Sequence, residues 1–383
     1  MGSVASIVVA VLGLGFLILA HETGHFIAAK VFGMRVEEFS LGFGRYLWSR
    51  RWGETVYGVS ALPIGGYVRV TGMHEEEFQA RVDAAQEARD YTGRDAESRL
   101  VGRSAITDEE VAQTPLDRRY YARPVWQRIV FIVSGVTMNV IVAFLLLYIV
   151  ALQGYVQPTT VVAEVSAGSA AAAADMRVGD RVVSIAGIPT GDWVSVQQAI
   201  SSHPGGSVPI VVERGATEIT LAATVGRRPD GTGILGLRPD AETVQPGVIG
   251  SVRVAATRTY DLFAATFGGI KAMFTGEASV TGPEGLAGPV GIVTISSEAV
   301  RGGFFLSLLA FISVQLAILN MLPLLPLDGG HVLFNVVEKV TGRRMSLRAF
   351  ERISVVGISL FLLLAIVATS NDIGRLFSGK SGL

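Results

Sequence analysis

Residues 4–20 contain no charged side chain, and this apolar run continues through a mostly apolar helix to about residue 29. Three more apolar stretches follow, at residues 129–152, 304–325 and 353–369. A helix needs about 20 apolar residues to cross the hydrocarbon core of a bilayer, and all four stretches come close. An even number of spans puts both ends of the chain on one side. Between the first two spans, residues 36–70 alternate short apolar runs with glycine, which predicts β-hairpins. Such hairpins form either a small sheet beside the membrane or a loop that dips into it. Irregular backbone survives at membrane depth only against protein or a wet cavity.

The stretch 74–117 is polar and mixed in charge, with a helix expected over 75–89. It reads as a partly disordered insertion, in which His74 is a solvated loop residue rather than a metal ligand. Residues 161–225 have the pattern of a soluble module. Strands are expected at 161–165, 208–213 and 218–224, a turn followed by a strand at 178–185, and short helices at 170–175 and 196–201. An amphipathic helix is expected at 257–274, with Phe263, Phe267, Ile270 and Phe274 on one side. A Gly/Pro-rich re-entry over 282–295 leads into the third span. Three regions result: an N-terminal membrane half (1–157), an inserted module (158–240) and a C-terminal membrane half (241–383).

Composition agrees with a multi-pass α-helical membrane protein. Of the 383 residues, 50% are hydrophobic and 17% charged, against about 25% charged in ordinary soluble domains. Net charge is −1, so no global field argues for nucleic acid. Cysteine is absent, which excludes disulfides and thiolate ligands. The N-terminus lacks the basic region of a cleavable signal peptide.

Basic residues set the expected orientation. Lys30, Arg35, Arg45, Arg50 and Arg51 follow the first span, and Arg118, Arg119, Arg123 and Arg128 precede the second. Lys339, Arg343, Arg344, Arg348 and Arg352 lie between the third and fourth. Both loops are expected on the cytoplasmic side of the membrane. Residues 154–303 and the C-terminus then lie outside.

The chemistry concentrates at His21-Glu22-Thr23-Gly24-His25. Two His four apart share one face of a helix and can bind one metal ion, while the intervening Glu serves as a base. Ionisable groups inside a membrane helix are expensive and point to function. His21 lies roughly 25 Å along the helix from Val4, nearer the expected cytoplasmic face. A catalytic zinc takes three protein ligands and leaves one position open. His331 is one option for the third. Asp328 is the better one, because Pro323, Pro326, Gly329 and Gly330 break the helix around a carboxylate.

These residues resemble the site-2 protease family of intramembrane zinc metalloproteases, in particular the bacterial regulator-of-sigma-E protease type. The resemblance rests on His21–His25 with Phe26, on Gly42-Phe43-Gly44 and Gly65-Gly66-Tyr67-Val68, on Gly288-Pro289-Val290-Gly291-Ile292, and on Asn320 through His331. The inserted module resembles a PDZ domain through its order of elements and its Gly-Asp-Arg-Val-Val-Ser-Ile run. The resemblance implies His21, His25 and Asp328 as ligands of Zn2+ and Glu22 as general base. It also implies that Asn320, Pro323 and Pro326 help hold substrate, and we group Gly42, Phe43 and Gly44 with them. Two features depart from the family: one PDZ-like module is visible instead of two, and Gly135-Val136 replaces a frequent Gly-Pro before Asn139.

The expected activity is cleavage of single-pass membrane proteins, such as anti-sigma factors or remnant signal peptides, after trimming on the outer side. The helix of such a substrate must unwind, and the hairpin edge could replace its lost hydrogen bonds. The PDZ-like module would contact peptide or filter substrates by size. The competing reading is a non-catalytic membrane scaffold presenting a PDZ module. A metal transporter would need further intramembrane carboxylates and His along a path.

Overall fold

A computed structural model describes all residues except 1–2, 74, 91–105, 229–230, 276–287, 344–345 and 379–383. His74 and residues 91–105 of the polar insertion therefore lie outside the described residues. The chain forms two compact units, Met1–Ile149 with Val252–Leu383, and Val150–Ser251.

The first unit opens with α1 (Ser3–Val31), which carries the His-Glu-x-x-His run in its last third. Two long strands follow, β1 (Val36–Trp52) and β2 (Thr55–Val70). They form more than one simple hairpin. Residues 46–52 pair with 55–60 across the turn, while residues 38–41 lie between 56–59 on one side and 66–69 on the other. The corner that folds the ribbon back is Gly42-Phe43-Gly44, with φ of +86° and +89° at its glycines, a region L side chains rarely enter. The insertion supplies α2 (Glu75–Asp90) and α3 (Asp108–Ala112). Phe78, Ile106 and Val111 bury against Val56 of the sheet. Then comes α4 (Val125–Gln153).

The second unit is an antiparallel sheet with helices over its core. Its elements are β3 (Tyr155–Val165), α5 (Ala170–Ala173), β4 (Arg181–Ile185), β5 (Ile188–Pro189), α6 (Trp193–Ser201), β6 (Ser207–Arg214), β7 (Thr217–Thr224), β8 (Gly226–Arg227), β9 (Gly233–Ile234) and β10 (Leu237–Val244). The main sheet runs β10-β3-β4-β6-β7. Alternate positions Val208, Ile210 and Val212 of β6 face inward onto Trp193, Val196 and Ile200 of α6, as a half-buried strand and an amphipathic helix require. Asp192 caps α6 through the Ser195 amide in a reciprocal capping box. Each strand and helix expected between 161 and 225 is present, β3 being longer at its start.

The first unit resumes at Val252 within α7 (Gly247–Thr275), followed by α8 (Pro289–Gly302), α9 (Phe305–Asn320), α10 (Asp328–Thr341) and α11 (Leu347–Ser378). Leu17 of α1, Val142 and Leu146 of α4, Ala255 of α7, and Leu309 and Val314 of α9 bury together. Phe263 and Ile270 of α7 pack on this cluster, whereas Phe267 is exposed.

Among the described residues, three helices are long and apolar enough to cross a membrane: Val4–Val31, Val125–Gln153 and Arg348–Gly374. The expected third span differs. Its helix stops at Asn320 after 16 residues, about 24 Å at 1.5 Å per residue. Pro323 cannot donate to a continuing helix and biases its predecessor away from helical backbone. The expected re-entry over 282–295 also differs where it is described, because residues from Pro289 onward are helical. Proline suits the first turn, and the Asp372 carboxylate of α11 accepts the Gly288 and Gly291 amides at 3.0 and 2.7 Å. Apolar side chains along α11, such as Val356 and Phe361, are exposed, as on a lipid-facing helix.

Candidate active site

His21 and His25, one turn apart on α1, meet Asp328 at the first residue of α10. His21 Nε2 and His25 Nε2 are 3.2 Å apart. Asp328 Oδ2 lies 3.2 Å from the first and 3.4 Å from the second. Zinc ligands at bond lengths of about 2.0–2.1 Å in a tetrahedron stand about 3.3–3.4 Å from each other. The triangle therefore has the size of one face of a zinc site. Its electrostatics point the same way. His25 Nδ1 lies 2.9 Å from the Phe131 carbonyl oxygen, an acceptor, so the ring proton belongs on Nδ1 and Nε2 keeps a lone pair. Asp328 Oδ2 is buried with no hydrogen-bond partner among the described residues. Lone pairs converging on one buried point need a cation between them. The three residues fit zinc, with one position left open.

Close approach of α1 and α4 builds the floor of this site. A Cβ on Gly24 would overlap the Ser134 backbone, whose carbonyl carbon would stand 2.8 Å away. A Cβ on Gly135 would press on both imidazoles, 2.6 Å from His25 Cε1 and 2.9 Å from His21 Cε1. Small residues let membrane helices approach to backbone contact.

Asp328 is placed by the break between α9 and α10. Gly329 stands against the carbonyls of Met321 and Leu322, and a Cβ on Gly330 would sit 2.7 Å from the Leu325 nitrogen. Only glycine lets the chain at 321–327 fold so tightly onto the start of α10. Farther along α10, Glu338 accepts two hydrogen bonds from Arg128 of α4, at 2.8 and 2.9 Å. Asn335 donates to the Tyr120 hydroxyl at 3.1 Å. These contacts fix the axis of the helix that begins with Asp328.

Glu22 lines the same cavity, of about 160 Å³, with His21, His25, Asp328 and His331. Its wall on the sheet side is Gly66, Tyr67 and Val68 of β2. A Cβ on Gly66 would stand 3.0 Å from Glu22 Cγ, and Val68 lines the cavity beside it. A larger cavity of about 510 Å³ adjoins this one, sharing Tyr67, Val68, Met73 and His331 and reaching Phe43. The turn joining β1 to β2 is tied to the end of α1, because Glu54 accepts from both Lys30 and Arg118 at 2.8 Å. Burial acts to raise the Glu54 carboxyl, but these two bonds outweigh it and hold it below its ordinary value.

His21, Glu22, His25 and Asp328 are thus brought together, and His331 lines the same space. Phe43 lines the larger cavity only. Gly42, Gly44, Asn320, Pro323 and Pro326 line neither cavity, and both prolines are exposed. Sequence reasoning missed the contact of Gly135 with both imidazoles and that of Asn139 with His21. The four-residue spacing of Gly135 and Asn139 was the available signal for a common helix face.

Two His and a Glu on an apolar helix, with a carboxylate converging from the start of α10, are the arrangement of a membrane zinc metalloprotease, and a non-catalytic scaffold is set aside. The chain belongs to Peptidase family M50, whose family model matches residues 9–364. It is similar to the zinc metalloprotease RasP of Bacillus licheniformis, with 28% identity covering 97% of this chain and 99% of that protein. The RasP of Geobacillus kaustophilus is 27% identical over 97% of this chain and 98% of its own length. The regulator of sigma-W protease RasP of Bacillus subtilis is 28% identical, covering 95% of this chain and 97% of that protein.

Proposed function

We propose that this zinc metalloprotease cleaves single-pass membrane proteins inside the bilayer, with His21, His25 and Asp328 holding zinc and Glu22 as general base. The observation that carries the assignment is the convergence of three ligand atoms beside Glu22 in the C-terminal part of an apolar helix. Zinc, when bound, supplies Lewis acidity for water and for the scissile carbonyl. Glu22 accepts a proton at its carboxylate and returns it to the leaving amine. The β2 segment 66–70 lies at a sheet edge next to Glu22. An unwound substrate strand would pair there, replacing hydrogen bonds lost from its own helix.

The finer reading follows from the basic loops. Residues 32–124 and 342–346 face the cytoplasm, and α9 with the break after it completes a fourth membrane passage. Val150–Ser251 is then an extracytoplasmic PDZ-like unit in the bacterial inner membrane enzyme. It acts on substrates already trimmed on that side. The name of the Bacillus subtilis relative supports an anti-sigma factor as substrate. Asn320, Pro323, Pro326 and Gly42-Phe43-Gly44 contact substrate as it approaches.

Glu22→Gln tests the assignment. An amide cannot accept the proton, so the variant keeps zinc and fold and loses cleavage. Comparative membrane proteomics of wild type and this variant should show trapped membrane fragments. Normal turnover of a model membrane substrate by Glu22→Gln would overturn the mechanism.

A further inference from the structure

Both metal-facing histidines turn their second nitrogen towards α4. His25 Nδ1 meets the Phe131 carbonyl at 2.9 Å. His21 Nδ1 meets the Asn139 side-chain amide at 3.2 Å. Phe131, Gly135 and Asn139 stand four residues apart on one helix face. That face presents a partner, then a gap that admits both rings, then a second partner. Asn139 is fully buried. Its backbone carbonyl accepts the Ser313 hydroxyl of α9 at 2.8 Å, which anchors this turn of α4 beneath the site.

We propose that Asn139 is the positioning residue of His21, accepting the Nδ1 proton through its amide oxygen and so leaving Nε2 free for zinc. The inference rests on the ligand assignment above. A neutral imidazole carries one proton, and a ring that offers Nε2 to a metal must carry it on Nδ1. The partner of Nδ1 must then be an acceptor, as the Phe131 carbonyl is for His25. Asn139 meets Nδ1 with its nitrogen, while its Oδ1 is buried without a hydrogen-bond partner. A half-turn about the Cβ–Cγ bond exchanges the two nearly isosteric atoms. No hydrogen bond is lost from the Oδ1 side, because none exists there. The exchange replaces a donor facing a donor with an acceptor facing a donor. Glutamine would be too long for a space with no exposure, and leucine would fill it without any acceptor. The choice of asparagine at this depth thus matches a requirement of its neighbour.

The test uses the full-length protein purified in detergent. Zinc affinity is measured by competition with a chromophoric chelator for wild type, His21→Ala, Asn139→Leu and Asn139→Asp. Loss of an outer partner of a metal-bound His typically costs 10- to 100-fold in affinity. Asn139→Leu should fall by that factor, with metal-free melting close to wild type. Asn139→Asp, which keeps an acceptor, should stay within a few-fold of wild type. Cobalt substitution adds a spectroscopic reading, and the tetrahedral absorption band should weaken in Asn139→Leu, as in His21→Ala, but not in Asn139→Asp. Should Asn139→Asp fail to fold, Asn139→Thr keeps a hydroxyl acceptor without a buried charge and should bind better than Asn139→Leu. Wild-type affinity in Asn139→Leu would overturn the proposal, as would equal losses in the leucine and acceptor-bearing variants. Wild-type affinity in His21→Ala would instead overturn the ligand assignment itself.

Discussion

Gly135→Ala adds one methyl group and should disable the site. The new carbon would stand 2.6 Å from His25 Cε1, 2.9 Å from His21 Cε1, and closer still to His25 Nε2. Carbon contacts settle at about 3.5–4.0 Å, so something must move by roughly 1 Å. The His25 ring cannot swing aside freely, because Phe131 holds Nδ1 at 2.9 Å. Nor can α1 yield alone, because Gly24 is seated on the Ser134 backbone of α4. Overpacking of this kind costs about 1–3 kcal/mol. Metal–ligand distances tolerate only about 0.2 Å. Most of the strain should therefore appear as displaced ligands, with zinc affinity down 10- to 100-fold, or about 1.4–2.8 kcal/mol. Zinc content and chelator competition measure this directly, and cleavage of a model membrane substrate measures its consequence. Gly15→Ala is the matched control, since its Cβ would meet nothing within 4 Å and alanine favours a helix. It should keep zinc and activity. Wild-type zinc affinity and turnover in Gly135→Ala would refute the close-crossing argument.

Asp328→Ala should strip zinc from the purified protein, and full occupancy with unaltered affinity would remove Asp328 from the site. Asp372→Leu leaves the Gly288 and Gly291 amides without their acceptor, each at a cost of about 1–3 kcal/mol if buried and unsatisfied. A lower melting temperature in detergent is expected, and an unchanged one would show that this contact does not anchor α8. Asp180 accepts from Arg214 at 2.7 Å and from the Arg177 amide at 2.9 Å. The Arg214 bond holds its carboxyl below the ordinary value. A depressed carboxyl stabilises the fold above its unfolded value of about 3.9, and that stability is lost as pH falls through the folded value. Hydrogen-exchange protection of β4 and β6 in the intact protein should therefore fall below about pH 4 in wild type. The drop should be smaller in Asp180→Asn, and identical profiles would remove the Asp180–Arg214 pair as its cause.

Much of the site was legible because its signals are local. The His21–His25 spacing places two imidazoles on one face in any helix. Two prolines and two glycines around Asp328 announce a broken helix in any setting. The strands and helices of the second unit follow from alternation and from turn residues such as Gly179-Asp180. What escaped depends on contacts distant in sequence. Nothing near Pro289 says that Asp372 will cap it, so a helix start there reads as an irregular re-entry. Nothing near Asn139 says that His21 will lie 3.2 Å away. The ribbon of β1 and β2 folds back on itself because of two left-handed glycines, and pattern alone reads it as a row of separate hairpins.

The broken segment before α10 has a consequence for the birth of the enzyme. On the proposed ligand set, His25 and Asp328 are separated by 303 positions (328 − 25). At roughly 5–20 residues per second, the ribosome needs about 15–60 s to travel between them. During that interval the growing chain holds the two histidines but not yet the carboxylate. Two imidazoles alone hold zinc far less firmly than a complete set, and the start of α10 is not yet there to close the cavity. Chain order therefore acts as a timer that withholds peptidase chemistry until nearly the whole polypeptide has been made.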